Sequence, residues 1–409
     1  MSWMIDLNHV LISAAQYDAS IMVSRLCSNS CPGSSNATFL GLMMTFTLPG
    51  RGLTTGLAIC LASMFLAGNA GAQGSSAMYG TVDVCAMHST NGSGSKRSGI
   101  ESGCHDASVI GWRIQEAISP GLNAIARLEY GLAVDQNSGI GAPSFGSRTL
   151  SRQGYVGLSG DYGTVTAGRM SSPVKIMQYF DPVGGSVFSG LLVLLPTPLN
   201  SRADPTHFSN AVRYMSPVLG GWQHFVVYAF APYGGDDKTY ASSQERAALI
   251  ATYYHGEQFA FFAGTQLTQH LGNVPPIAIH DSSAALSWTL DRVKIAGIFV
   301  RTERSGGAIV GGSNKRTFDQ SNLGLQYHLS EIDSIGIQVS HLHDHNLNQA
   351  DSTSMGLIVE HALSKRTLLY AGYNLTLNDD TTQFSADTFN RPTPGATAKL
   401  VGAGIRHNF

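Results

Sequence analysis

The chain has 409 residues, a formal net charge of −2, and only 13% charged residues beside 43% hydrophobic ones and 46 glycines. That is about half the usual share of charge, and the near-neutral balance excludes an electrostatic polyanion binder, so no nucleic-acid partner is expected. Downstream of the N-terminal segment no apolar run approaches the roughly 20 residues of a spanning helix, which leaves a membrane β-barrel or a secreted all-β protein.

Taken in order, the chain first offers a targeting signal. Arg51 precedes an apolar run over residues 53–68, followed by Ala70-Gly71-Ala72. A basic residue, a short apolar stretch and an A-x-A site form the sequence of features of a cleaved secretory signal. Residues 43–72 are therefore expected to be a signal peptide, with Gln73 as the first mature residue. Residues 1–42 have no place before such a signal; a start at Met43 or Met44 is expected, with the upstream stretch a mis-called or disordered extension. Cys27, Cys31 and Cys60 fall in the part expected to be lost. Cys85 and Cys104 remain in an oxidising compartment, and both a bridge and two free thiols stay open. Strand parity turns Cys85 inward and Cys104 outward, so a bridge would require Cys104 to lie in a loop.

From residue 77 onward the hydrophobic period is two, the period of strands. Sixteen strands are predicted: 77–88, 106–116, 121–134, 150–159, 162–170, 207–216, 221–230, 245–255, 257–269, 279–289, 292–304, 318–328, 332–343, 353–363, 366–378 and 398–409. The number is even, and lengths near ten residues suit tilted strands crossing a hydrocarbon core. Short turns, such as Gly160-Asp161, His255-Gly256 and Ser364-Lys365, alternate without exception with the longer loops 89–105, 135–149, 171–206, 231–244, 270–278, 305–317, 344–352 and 379–397. Turns at one end and long loops at the other are the plan of an outer-membrane barrel; a Greek-key sandwich has no reason to keep that alternation.

The faces agree. In 121–134, Ala124, Ala126, Leu128, Tyr130 and Leu132 share one parity, against Arg127, Glu129 and Gly131 on the other. In 332–343, Ile335, Ile337 and Val339 oppose Gly336, Gln338 and Ser340, and in the last strand Val401, Ala403, Ile405, His407 and Phe409 oppose Leu400, Gly402, Gly404 and Arg406. A lipid-facing Lys or Arg near mid-bilayer costs about 2–4 kcal/mol, and segregation of charge to one parity is what that cost predicts. Strands 150–159, 162–170 and 245–255 show no clean segregation. The fold class is thus an all-β, 16-stranded antiparallel transmembrane barrel occupying residues 73–409.

Several motifs then carry a resemblance. Arg152-Gln153-Gly154-Tyr155-Val156-Gly157-Leu158-Ser159-Gly160, followed by Tyr162-Gly163-Thr164-Val165 and Gly168-Arg169, resembles a stretch shared by Gram-negative general diffusion porins of the betaproteobacterial type. So do Phe180-Asp181-Pro182, Asn210-Ala211-Val212-Arg213-Tyr214, the opening Met78-Tyr79-Gly80-Thr81-Val82-Asp83 and the close Gly404-Ile405-Arg406-His407-Asn408-Phe409. The resemblance implies a homotrimer in outer-membrane lipid and lipopolysaccharide, passing small hydrophilic solutes and ions, with no cofactor and no catalytic residue. It also implies a third loop, here 171–206, folded inward to narrow the pore, with loop acids facing a wall of arginines. The matching acid is Asp181, with Asp204 a second loop acid, and the matching arginines are Arg152, Arg169 and Arg213. Parity adds Arg113, Arg127 and Glu129 to the expected constriction. Three departures from the family pattern put pore charge and width in question: Val109 stands where an inward arginine is usual, Ile114-Gln115-Glu116-Ala117 replaces the usual G-S-E-D turn approach, and the third loop carries the apolar Leu191-Leu192-Val193-Leu194-Leu195-Pro196.

His341, His343 and His345 share one side of a continuing strand. Three imidazoles there are weak candidates for Zn²⁺ or Cu²⁺ ligands, against a plain polar rim. The rival functions are a solute-specific channel, an adhesin using the long loops, and a barrel-type outer-membrane enzyme, which would need a nucleophile and base on the wall.

Overall fold

In a strand whose two parities differ as sharply as those of 332–343, the apolar side must leave water and the polar side must keep hydrogen-bond partners. The computed structural model describes residues 74–137, 140, 151–172, 174–194, 207–230, 232, 245–271, 273, 275–306 and 315–409. The expected extension 1–42, the signal at 43–72, Gln73, Asp204 and the Leu195-Pro196 end of the apolar loop run lie outside these residues.

The strands before the third loop are β1 (Gly74–Thr90), β2 (Lys96–Ser102), β3 (Val109–Ser119), β4 (Leu122–Gly131), β5 (Ser151–Gly160) and β6 (Gly163–Ser171). After it come β7 (His207–Met215), β8 (Trp222–Ala229), β9 (Glu245–His255), β10 (Phe259–His270), β11 (Ile277–Leu290) and β12 (Val293–Ser305). The chain finishes with β13 (Lys315–His328), β14 (Asp333–Asp344), β15 (Ser352–Ala362), β16 (Thr367–Asn378) and β17 (Ala398–Asn408). From β3 onward each strand pairs antiparallel with the next, and β1 pairs with β17, closing the sheet. β2 and β3 both pair with β1, at its upper and lower halves, and so form one interrupted stave. The barrel therefore has sixteen staves.

That interruption differs from the expected single loop over 89–105. β1 runs on to Thr90 and pairs Val84–Thr90 with Ser102–Lys96. The polar Lys96-Arg97-Ser98 start of β2 hid its strand character. The loop is instead split into 91–95 and a break at 103–108. Cys104 lies in the break and is bonded to Cys85, which satisfies the condition that parity set. Asp83 stabilises the break by accepting the backbone N–H of Cys104 at 3.1 Å and of Asp106 at 2.9 Å, while Tyr370 donates its hydroxyl to the same carboxylate at 2.6 Å.

The tight turns gather at one end. Gly121 adopts φ 77° and Asp291 φ 50° there; the left-handed region is open to Gly and tolerated by Asp. Above this end, Trp222, Phe259, Trp288, Tyr327 and Phe409 are exposed on the outer surface, forming the aromatic girdle expected at a membrane interface. Between girdle and loops, Leu286, Leu323, Ile337, Val339, Leu357, Val359, Val401 and Ile405 also face outward, Leu323 with 66% of its surface exposed. Closure satisfies the backbone ladders, so this apolar band can face lipid without stranding N–H or C=O groups.

Candidate functional site

The opposite parity lines the barrel, and two kinds of surface meet there. On β3–β5 it is cationic. Arg113 and Arg127 are register partners, and both guanidinium groups lie over the ring of Tyr79, at 4.3 and 5.1 Å from its centroid. Arg127 Nε donates to the Tyr79 hydroxyl at 2.7 Å, and that hydroxyl donates to Glu129 Oε2 at 2.7 Å. Glu129 is fully buried. It also accepts from Arg127 Nη2 at 2.8 Å and Arg152 Nε at 3.1 Å. A buried carboxylate needs such partners, since an unpaired one would cost several kcal/mol. Gly111 makes the arrangement possible: a Cβ there would collide with the Tyr79 ring.

The other arginines continue along the wall. Arg213 on β7 lies 5.7 Å from the ring centroid of Tyr155, the register partner of Arg127. Arg169 donates to Ser209 Oγ at 2.7 Å. Val109 is buried on the Arg113 parity, so the position that lacks the usual arginine faces inward.

On β13–β17 the lining is small. A Cβ would collide with Pro182 at Gly324 and Gly336, and with Phe188 at Gly356 and Gly372. Four glycines on four successive staves thus form a trough in which residues 182–188 lie. Asn374 donates to the Phe188 carbonyl at 3.0 Å, Gln320 donates to that of Leu191 at 2.9 Å, and Lys294 donates to that of Tyr179 at 2.7 Å. Two short helices, α1 (Val174–Met177) and α2 (Gly190–Val193), bracket the segment. Met177, Phe180 and Leu191 pack against Phe225, Leu249, Ala251, Ile298 and Val300 in one buried apolar cluster. This is why 245–255 showed no clean face: Leu249 and Ala251 are apolar on the lining side because the third loop covers them.

Asp181 belongs to this seat. Its carboxylate accepts from Ser189 Oγ and from the Val183 N–H at 3.0 Å. With its amide nitrogen toward the carboxylate, Gln338 donates to Asp181 at 2.6 Å while its oxygen accepts the Gly190 N–H at 2.7 Å. Burial holds the Asp181 carboxyl above its usual range, against the opposing Ser189 and Val183 hydrogen bonds. The structure therefore places Asp181 on the β14 side, and among the described residues Glu129 is an acid in contact with Arg127 and Arg152. What the third loop sends toward Glu129 is a cation, Lys175 of α1, which interacts with it electrostatically. Sequence reasoning passed over Lys175 and Tyr79. The alternation of Tyr79 with Thr81 and Asp83 marks its parity, whereas nothing local marks Lys175.

A second polar group lies beneath the trough. His105 Nε2 meets Glu360 Oε1 at 2.6 Å, Arg406 donates to His105 Nδ1 at 3.0 Å, and Ser334 donates to Glu360 Oε2 at 2.6 Å. Of the three weak metal candidates, His341 and His343 lie on the outer parity of β14, beside Asp351, while His345 pairs instead with Asp319 at 2.8 Å.

This geometry has known relatives. The family model described as Gram-negative porin matches residues 56–381. Outer membrane porin protein 32 of Delftia acidovorans is 26% identical over 369 residues, covering 86% of this chain and 99% of that protein. Major outer membrane protein P.IB of Neisseria gonorrhoeae is 30% identical over 193 residues, covering 46% of this chain and 50% of its own. Among solved structures, the anion-selective porin from Comamonas acidovorans superposes with a TM-score of 0.68 at 21% identity, over 82% of this chain and all of that one. With sixteen closed staves, an apolar outer band and a polar lining, the chain belongs to the Gram-negative porin family and is an outer-membrane porin, a water-filled channel for passive diffusion of small hydrophilic solutes and ions.

Proposed function

We propose that this porin favours anions weakly, through a constriction formed by the third loop and the wall of β3–β7. The observation that carries the reading is the crowding of Arg113, Arg127 and Arg152 around Tyr79 and Glu129 among the described residues. Arg169 and Arg213 extend that wall, and Lys175 adds a loop cation. A row of fixed cations along a narrow aqueous passage lowers the energy of a passing anion and raises that of a cation. Asp181, and Asp204 with it, temper the field from the loop. Val109, where the family would supply one more arginine, keeps the preference small. At 0.1 M salt the Debye length is about 10 Å, comparable to a pore radius, so the preference fades at molar salt. The Comamonas relative, described as anion-selective, supports the same direction. The mechanism is electrostatic passage without turnover, with no enzyme chemistry on the wall.

The test is the reversal potential across a planar bilayer in a dilute KCl gradient. Arg152→Ser is expected to shift it toward cations with a modest change in conductance. An unchanged potential would remove Arg152 from the constriction and the arginine-wall reading with it. The same reading takes the mature chain to begin at Gln73 after signal cleavage, and the channel to work as a homotrimer in lipopolysaccharide-bearing membrane. N-terminal sequencing of membrane-embedded protein and light scattering in mild detergent check these two points.

A further inference from the structure

We propose that His341, His343 and Asp351 form a binding site for a first-row divalent metal ion, of the Zn²⁺, Ni²⁺ or Cu²⁺ class, on the outer rim of the barrel at its long-loop end. His341 and His343 are two apart on β14 and so share a face. Asp351 enters from the loop before β15. One ligand atom from each residue falls within 4.8 Å of the other two. His343 Nδ1 is 2.8 Å and His341 Nε2 is 3.7 Å from the same oxygen, Asp351 Oδ2. Ligand atoms about 2.0–2.2 Å from a tetrahedral Zn²⁺ stand roughly 3.3 Å apart, a spacing that lies between the two distances to Asp351 Oδ2.

The surroundings hold the ligands in place. His341 Nδ1 is hydrogen-bonded to Thr353 Oγ1 at 3.0 Å, which leaves Nε2 to face the carboxylate. Asp351 Oδ1 accepts the Asp344 N–H at 3.0 Å and lies 3.0 Å from His343 Nδ1, while Oδ2 faces both imidazoles. Partners that orient each ligand from behind are characteristic of metal sites. His343 and His341 have about half of their side-chain surface exposed, at 47% and 50%, so an ion has access and a fourth position for water. Two imidazoles and one carboxylate suit zinc, nickel and copper; magnesium and calcium prefer all-oxygen sets. The neighbouring Asp319 is occupied by Arg301, in bonds of 2.7 and 2.6 Å, and by His345. His345 is therefore replaced by Asp351 in the candidate set.

The experiment uses the full-length, untagged protein in detergent, titrated calorimetrically with ZnCl₂, NiCl₂ and CaCl₂. Zn²⁺ and Ni²⁺ should bind saturably at one ion per chain, and Ca²⁺ at least tenfold more weakly. His341→Ala and His343→Ala should each weaken Zn²⁺ binding more than tenfold. Thr353→Val should weaken it by roughly 10–100-fold, the usual cost of losing a supporting hydrogen bond. Conductance should not change in any variant, because these residues lie on the outer face. Heat-modifiable migration on gels verifies that each barrel is folded. Absence of saturable Zn²⁺ binding, equal binding by the folded His341→Ala/His343→Ala double variant, or Ca²⁺ binding as tight as Zn²⁺ would each overturn the site.

Discussion

Val187 donates its backbone N–H to the carbonyl of Cys104 at 2.8 Å, joining the third loop to the break in the second stave. Cys85, Cys104, Val183 and Phe188 lie in one buried cluster, so the bridge, the break and the loop tip form a single packed unit. Replacing both cysteines by serine should loosen that unit. Loss of a native bridge typically costs about 2–5 kcal/mol, and here it should lower resistance to chemical denaturation and add conductance flicker as the loop tip works free. Bilayer recordings of the double variant beside the parent check this; identical noise and midpoint would show that the bridge does not hold the loop.

Phe188 is fully buried and lies against Gly372. Phe188→Ala removes an anchor whose loss in a packed interior usually costs about 3–5 kcal/mol. Single-channel conductance should rise and the segment 174–194 should become cleavable by protease. Gly372→Val should give the same phenotype from the other side of the contact, by filling the trough.

The ion preference should also depend on pH through Asp181. Its folded pKa lies above its ordinary value of 3.8, chiefly because of burial. A carboxyl raised in this way favours the folded state in its protonated form. That contribution is fully present below the unfolded pKa and is lost as pH rises through the folded one. Acidification from neutrality toward the ordinary carboxyl range should therefore firm the loop on its seat, remove one negative charge and increase anion preference. Asp181→Asn should abolish that step while sparing changes caused by histidine titration, which wild type and variant share. Reversal potentials of both proteins between neutral pH and pH ~4.5 check the difference.

On the outer surface Ile337 sits mid-strand in β14, 49% exposed. Ile337→Lys should destabilise refolding into lipid vesicles by up to about 2–4 kcal/mol. Denaturant titrations in vesicles measure this.

Legibility followed from how many environments each strand face meets. Where one side meets lipid and the other meets polar partners, as with Ile335, Ile337 and Val339 against Gly336, Gln338 and Ser340, alternation marks both strand and orientation. Where the lining side is dry, alternation vanished: Leu249 and Ala251 are buried under Met177 and Phe180, a contact between distant segments that no local pattern encodes. β2 was missed because its polar residues read as loop, although β1 offered it a free edge. Within the candidate site, the parity of Arg127 was readable from Ala126 and Leu128. The Tyr79 bridge to Glu129 was not, because it spans 50 residues and depends on the absent side chain of Gly111. Why Val109 replaces an arginine has no structural explanation here.

The seam between β1 and β17 also sets the order in which this molecule can be made. Thr81 Oγ1 donates to Asn408 Oδ1 across 327 positions of sequence, whereas every other stave pairs with a near neighbour. Local hairpins can zip early, but the ring cannot shut until the most distant pair meets, and folding slows as native contacts become more non-local. Until then β1 and β17 are both raw edges, each a template for the wrong partner. The period of greatest aggregation risk is thus the interval before closure, and substitutions along Thr81–Thr90 or Lys399–Asn408 should reduce assembly yield more than they weaken the finished barrel.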